Sequence, residues 1–280
     1  MTALFTSLAA LMYAAGSLFT KRSMAEGANR RRVIAVTNIA MALWALPLFF
    51  LSRGSFDLSS WFIAIAAGGA LFAGRILSVN ALQIGDLSLV GPLLGIKTLL
   101  VGLFSFLTGQ IEMTPQLWIA VTFASLAVIL LQRSPTAHKK KSRRAVLYAA
   151  GASILFAMTD ILVVEAGDSL GIGWLSPTVF MTLALLVPLL GKLPPEPPSA
   201  KKPLCLGAVI MGFQTFFVIL LIGITGNAVL INIVYSTRAL WTVLVDRYAG
   251  GGKEVVEHFY ARILGALLIV VSVGIVLIEQ

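Results

Sequence analysis

The feature that most constrains this chain is a recurring run of about 20 apolar residues, broken where charge clusters at 21–32, 132–144, 192–202 and 246–262. About 20 residues is what a helix needs to cross roughly 30 Å of hydrocarbon. Cut at charges, prolines and short polar turns, the sequence gives ten such runs: 3–20, 33–51, 60–83, 86–108, 114–131, 145–164, 173–190, 204–224, 226–246 and 259–278. With 58% of 280 residues hydrophobic and 12% charged, and a mean hydropathy of +0.94, the chain carries more apolar side chain than a soluble domain of this length buries. The expected fold class is all-α integral membrane with ten transmembrane helices. The joints at 83–86 and 224–227 are short enough to make their flanking helices antiparallel neighbours.

Lysine and arginine resist transfer across a bilayer, so their distribution sets orientation. One side receives Lys21, Arg22 and Arg30–Arg32, then Arg133, Lys139–Lys141, Arg143 and Arg144, then Lys192, Lys201 and Lys202, whereas the other has little beyond Arg53. This places both termini outside and the linker 132–144 in the cytoplasm. It also accounts for the net charge of +9 without nucleic acid, for which there is no zinc-ligand set, aromatic platform or basic recognition helix. A single cysteine, Cys205, makes no intrachain disulfide or multi-cysteine metal site. The first run lacks a basic leader and ends in "KRSMAEGANRRR" instead of a small-residue cleavage site, so it reads as a retained span.

The chain also repeats itself. "GDLSLVGPLLGIKTLLVGLF" (85–104) lies over "GNAVLINIVYSTRALWTVLV" (226–245) without a gap, pairing Gly85 with Gly226, Asp86 with Asn227 and Lys97 with Arg238. Two five-span units, 1–131 and 145–280 about the linker 132–144, would stand in opposite orientations, because an odd number of crossings reverses direction. Inverted repeats of this kind are an architecture of secondary transporters, with the site near the midplane.

Lys97 and Arg238 fall near the middle of their runs and Arg75 slightly past the middle of the third. Charges there cost at least a few kcal/mol, which points to a polar cavity. The clearest acid within a run is Asp160; it reads either as a proton carrier or as the partner of a switchable ion pair. Three cations against one carboxylate favour an anionic ligand. Fixed ion pairs, such as Asp160 with Arg238 or Arg75, are the structural alternative. Tyr235 and Trp241, three residues to either side of Arg238, are placed to flank its guanidinium. Tyr13, Asn80 and Gln214 are further candidates for substrate hydrogen bonds, with helix-to-helix bonding as their competing role. Gly91, Pro92 and Gly95 interrupt the fourth span just before Lys97, because proline removes a donor and glycine softens the helix or admits a close neighbour. Both histidines, His138 and His258, lie outside spans. No nucleophile elbow, HExxH, P-loop or paired intramembrane carboxylates are found, so neither an enzyme, a metal site nor a cofactor is expected.

At "ALQIGDLSLVGPLLGIKTLLVGLFSFLTGQ" (81–110) and "NIVYSTRALWTVLV" (232–245) the sequence resembles the drug/metabolite transporter superfamily, in its EamA-like ten-span branch. The resemblance runs over essentially the whole chain, on loose motifs. It implies two inverted five-span halves, alternating access, and a central cavity lined by spans 1, 3, 4, 6, 8 and 9 or their close neighbours. Members export amino acids, drugs and other metabolites, or exchange phosphorylated compounds. In the sugar-phosphate exchangers a lysine of the fourth span and basic residues of the ninth hold the phosphate, and Lys97 and Arg238 are similarly placed. Where the family often ends its fourth span in Gly-Glu, this chain has Gly109 and Gln110, so any role of that glutamate is absent here. The expectation is a secondary transporter of the bacterial inner membrane, moving a small anionic or zwitterionic metabolite. Its partners are that substrate and the lipid bilayer. A broad-specificity amino-acid or drug exporter using Tyr13, Tyr235 and Trp241 is the rival within transport, and a non-transporting scaffold or receptor the rival outside it.

Overall fold

The computed structural model describes residues 1–50, 54, 57–84, 93–131, 143–249 and 259–278. Gly91, Pro92 and most of the linker 132–144 lie outside the described residues. Among those described, the secondary structure is helical and without strands: α1 (Thr2–Ala25), α2 (Arg30–Ala45), α3 (Leu58–Ile84), α4 (Lys97–Leu107), α5 (Pro115–Leu131), α6 (Arg143–Leu185), α7 (Pro198–Thr225), α8 (Ala228–Tyr235), α9 (Arg238–Ala249) and α10 (Phe259–Ile278). Short 3₁₀ turns follow α2 and α6.

Among the described residues five helical stretches are long and apolar enough to cross a bilayer: Thr2–Ala25, Arg30–Phe50, Leu58–Ala81, Arg143–Leu190 and Pro198–Thr225. Leu93–Leu107, Pro115–Leu131 and Ile263–Ile278 are apolar but shorter. Large apolar side chains point outward, including Phe50, Leu185 and Leu189, whereas Lys97, Asp160, Gln214 and Asn232 are buried. That distribution, inverse to a soluble protein, is what a hydrocarbon solvent selects.

The joint expected between the sixth and seventh apolar runs falls at Gly171: α6 continues past Glu165 and Asp168 and leaves helical geometry there, where φ is 61° and ψ 174°. A helix satisfies its own backbone whatever its side chains carry, so polarity alone does not end it. Glycine enters the left-handed region without a Cβ penalty, and there the chain turns. The Gly54 amide donates to the carbonyl of Leu170 just before this bend, at 2.9 Å.

The start of α3 has a chemical cause. The carboxylate of Asp57 accepts from the Ser60 and Ser59 hydroxyls at 2.5 and 2.8 Å and from their backbone N–H groups at 3.0 and 3.3 Å, capping the first turn. These donors, the Ser60 hydroxyl foremost, lower its pKa from 3.8 to about 2. Because the folded value lies below the unfolded one, the cap's stabilisation is complete above the unfolded pKa and is lost as pH falls through the folded one. Melting temperature followed from pH 5 to pH 2 should therefore drop more steeply in wild type than in Asp57→Ala, the two curves converging at the acid end. Parallel curves would remove the cap from the stability of α3.

Two compact units emerge: Met1–Phe72 with Leu162–Gly226, and Ala73–Ile161 with Asn227–Gln280. Each draws on both halves of the chain, and α3 and α6 each contribute one part to either unit. In the first unit α7 packs along α1 and α2. Phe213 joins Trp44 and Phe217 in ring contacts there, and the Trp44 indole donates to the Val209 carbonyl at 3.3 Å. In the second unit α10 packs along α5 over Ala127, Val128, Leu131, Ala239 and Ile269.

Candidate functional site

Two helical stretches of the second unit tighten for one turn, at Ile96 and at Ser236 and Thr237, with Ile96 and Ser236 keeping right-handed helical angles, and each tightened turn is followed directly by a cation. Before α4 the Ile96 amide bonds back to Leu93 at 3.3 Å, an i→i−3 turn, and Lys97 is the first residue of the helix that follows. Between α8 and α9 the Thr237 amide bonds to Val234 at 3.2 Å, again i→i−3, and Arg238 opens the next helix. The three positions of the second turn, 234, 237 and 238, each follow those of the first, 93, 96 and 97, by 141 residues, the same offset that aligns the sequences.

Different residues build the two turns. At the second, Ser236 and Thr237 fold their hydroxyls onto the carbonyls of Ile233 and Val234 at 2.6 and 2.8 Å, competing with the regular helical bonds. At the first, the hydroxyl of Ser153 on α6 donates to the Leu93 carbonyl at 2.9 Å. Gly95 lies where a Cβ would come within 2.5 Å of the Val128 side chain, so glycine lets this segment approach α5. Lys97 and Arg238, each near the middle of its apolar run, thus stand directly after a tightened turn.

The Lys97 ammonium meets Asp160 Oδ2 at 2.7 Å, and both residues are buried. The same oxygen accepts from Asn232 Nδ2 at 2.6 Å, and that amide nitrogen also donates to the Ala228 carbonyl at 2.9 Å. Both neighbours of the amide are acceptors, so its nitrogen must be the atom facing them. Asp160 is therefore held from two sides, by α4 through Lys97 and by α8 through Asn232. Arg238 stacks over the Tyr235 ring, its guanidinium carbon 4.6 Å from the centroid, and its charge acts repulsively on Lys97.

The other predicted residues spread across both units. Arg75 and Asn80 are half-buried on α3 and Trp241 half-buried on α9, all in the second unit. Tyr13, half-buried on α1, and Gln214, buried on α7, belong to the first unit. Gln214 Nε2 donates to the Thr215 hydroxyl at 2.5 Å. Gly109, at φ +68°, ends α4, and Gln110 donates through Nε2 to the Ile161 carbonyl at 3.0 Å, next to Asp160. A cavity of about 310 Å³ in the second unit is lined by Ile111, Glu112, Thr114, Leu117, Asn227, Leu230 and Val276; none of the predicted site residues is among them. Among the described residues no group of three or more His, Cys, Asp or Glu side chains could hold a metal ion.

Asn232 is the site residue that sequence reasoning missed. Its signal was a lone amide in the apolar run "AVLINIVY", where an unpaired polar side chain would be costly. No family model and no curated protein matches the chain. A solved crystal structure of a protein matches over 98% of this chain and 95% of its own, with a TM-score of 0.74 at 16% identity. That likeness establishes a shared fold and is silent on activity.

Proposed function

We propose that this protein is a secondary transporter of ten spans in two inverted repeats, moving a small anionic or zwitterionic metabolite by alternating access. The observation that carries the reading is the buried Lys97–Asp160–Asn232 cluster beside two tightened helical turns that fall at equivalent positions of the internal repeat. Broken helices next to buried charge are how membrane transporters expose backbone and charge to a substrate. In this reading Lys97 and Arg238 hold the anionic group of the substrate, and Arg75 adds to the field. Asp160 exchanges places with that group, so the ion pair is closed without substrate and open with it. Gly95 brings the first turn against α5, and Tyr235, Trp241 and Asn80 supply the remaining contacts within this unit.

The 2.7 Å contact of Lys97 with Asp160 also favours a second reading, a membrane scaffold in which the pair is permanent. Ligand-dependent melting separates the two. Purified wild type and Arg238→Gln are compared against phosphorylated, carboxylated, zwitterionic and cationic metabolites, since a ligand that binds only the folded state raises stability by about 2.7 kcal/mol at a hundredfold excess over Kd. Stabilisation by an anionic or zwitterionic compound, lost in Arg238→Gln, is the expected result. Stabilisation only by cationic or apolar compounds, unchanged in the variant, would overturn the anion site in favour of the drug exporter, and a panel without effect on either protein would favour the scaffold.

A further inference from the structure

We propose that one end of the first unit is a binding surface for the headgroup of an anionic phospholipid. It rests on the membrane reading and is independent of transport. The surface gathers the end of α1, the start of α2 and the start of α7, with the loop that precedes α7. Ala28, Val33, Ala200 and Leu204 form the buried base that joins these segments. Arg32 pairs with Glu196, and its guanidinium donates to the Pro194 carbonyl at 3.2 Å, pinning the proline-rich loop to α2. A Cβ at Gly27 would stand 3.1 Å from Pro197, and one at Gly191 would stand 3.7 Å from the Arg31 guanidinium, so residues far apart in sequence are neighbours here.

Segments 21–32 and 191–202 bring eight cations against two carboxylates, Glu26 and Glu196. Each carboxylate is already taken: Glu26 by Arg22 at 3.0 Å, and Glu196 by Arg32. Among the described residues Arg30, Arg31, Lys192, Lys201 and Lys202 make no ion pair, and all but the half-buried Arg30 are exposed. Loops that merely fix topology need only carry positive charge. Here the charges are mounted on a packed scaffold, and the starts of α2 and α7 add the positive ends of two helix dipoles.

The exposed apolar side chains identify the partner. Met24 lies beside the cations of α1, Leu189 three residues before Lys192, and Leu206 one turn beyond Lys202. Helices of bilayer-crossing length put their ends at the depth of the headgroups. A ligand with a phosphodiester and acyl chains satisfies both halves of this surface, whereas a nucleic acid would satisfy only the charge. Basic clusters at span ends attract anionic lipid at about 1 kcal/mol for each cation, or about fivefold in affinity.

The test titrates the purified full chain in mild detergent with phosphatidylglycerol, phosphatidylcholine, inorganic phosphate or a single-stranded oligonucleotide, reading melting temperature. Phosphatidylglycerol should stabilise wild type well beyond phosphatidylcholine, while phosphate and the oligonucleotide should do little. Arg31→Gln/Lys192→Gln/Lys201→Gln/Lys202→Gln should bind phosphatidylglycerol more than a hundredfold more weakly with its melting in phosphatidylcholine unchanged. If that variant fails to fold, Lys201→Gln/Lys202→Gln should still lose about 25-fold. Equal response to the two lipids, equal response to phosphate or the oligonucleotide, or full retention of the phosphatidylglycerol effect in the variants would each overturn the assignment.

Discussion

Replacing Lys97 with methionine is expected to cost about 3–5 kcal/mol of folding stability, because it removes one member of a buried ion pair and leaves the other charged. The remaining carboxylate of Asp160 is 3% exposed and would be left with the Asn232 amide as its described donor. Asp160→Asn should be costly for the mirror reason, stranding the ammonium. The double variant Lys97→Met/Asp160→Asn should recover much of the loss, since neither charge then remains, and that non-additivity is the signature of direct coupling. Asn232→Leu should cost about 1–3 kcal/mol in wild type, as a buried acceptor loses a donor. It should cost less in Lys97→Met/Asp160→Leu, where the carboxylate is gone. Unfolding in detergent by heat or denaturant measures all of these. Additive losses would mean that the pair is not a thermodynamic unit.

The second large effect is steric. At Gly212 on α7 an added Cβ would lie 3.0 Å from the Ala40 Cβ and 3.2 Å from backbone atoms of Ala40 and Met41 on α2. At Gly207, five residues earlier, it would lie 2.9 Å from the Thr20 hydroxyl and 3.0 Å from the Thr20 backbone nitrogen on α1. Lipid offers apolar side chains as good an environment as a neighbouring helix does, so helices associate by close packing, and small residues permit it. Gly212→Leu should therefore cost about 1–3 kcal/mol, by driving α7 away from α2. Gly207→Val should act similarly against α1. At Gly274 an added Cβ meets nothing within 4 Å, so Gly274→Ala should be neutral or slightly stabilising through a less flexible unfolded chain. If Gly212→Leu melts no lower than Gly274→Ala, close packing of α7 on α2 is not a source of stability.

Helical, bilayer-length segments were legible because hydropathy and length are local quantities that one stretch of chain carries by itself. Lys97, Asp160 and Arg238 were legible for a related reason: a charge in an apolar run is conspicuous wherever the run ends up. Asn232 was less so, since an amide stands out weakly against Ile and Val until its neighbour across the fold is known. The break between the sixth and seventh runs was legible as a joint within 165–172, whereas its position needed the backbone: charge at Glu165 and Asp168 marks the edge of an apolar run, but a helix ends where its geometry fails, here at Gly171.

By itself, then, the sequence determined an apolar, helical chain with a few charges placed where they are costly, together with the offset that pairs Lys97 with Arg238. Only the tertiary structure decided that Lys97 takes Asp160 as its partner, that Asn232 holds the same oxygen, and that each compact unit draws helices from both halves of the chain. The physical reason is that a partner is chosen by which helix faces can approach. That approach depends on small residues such as Gly95 meeting Val128 and Gly212 meeting Ala40, contacts between positions that no local pattern connects.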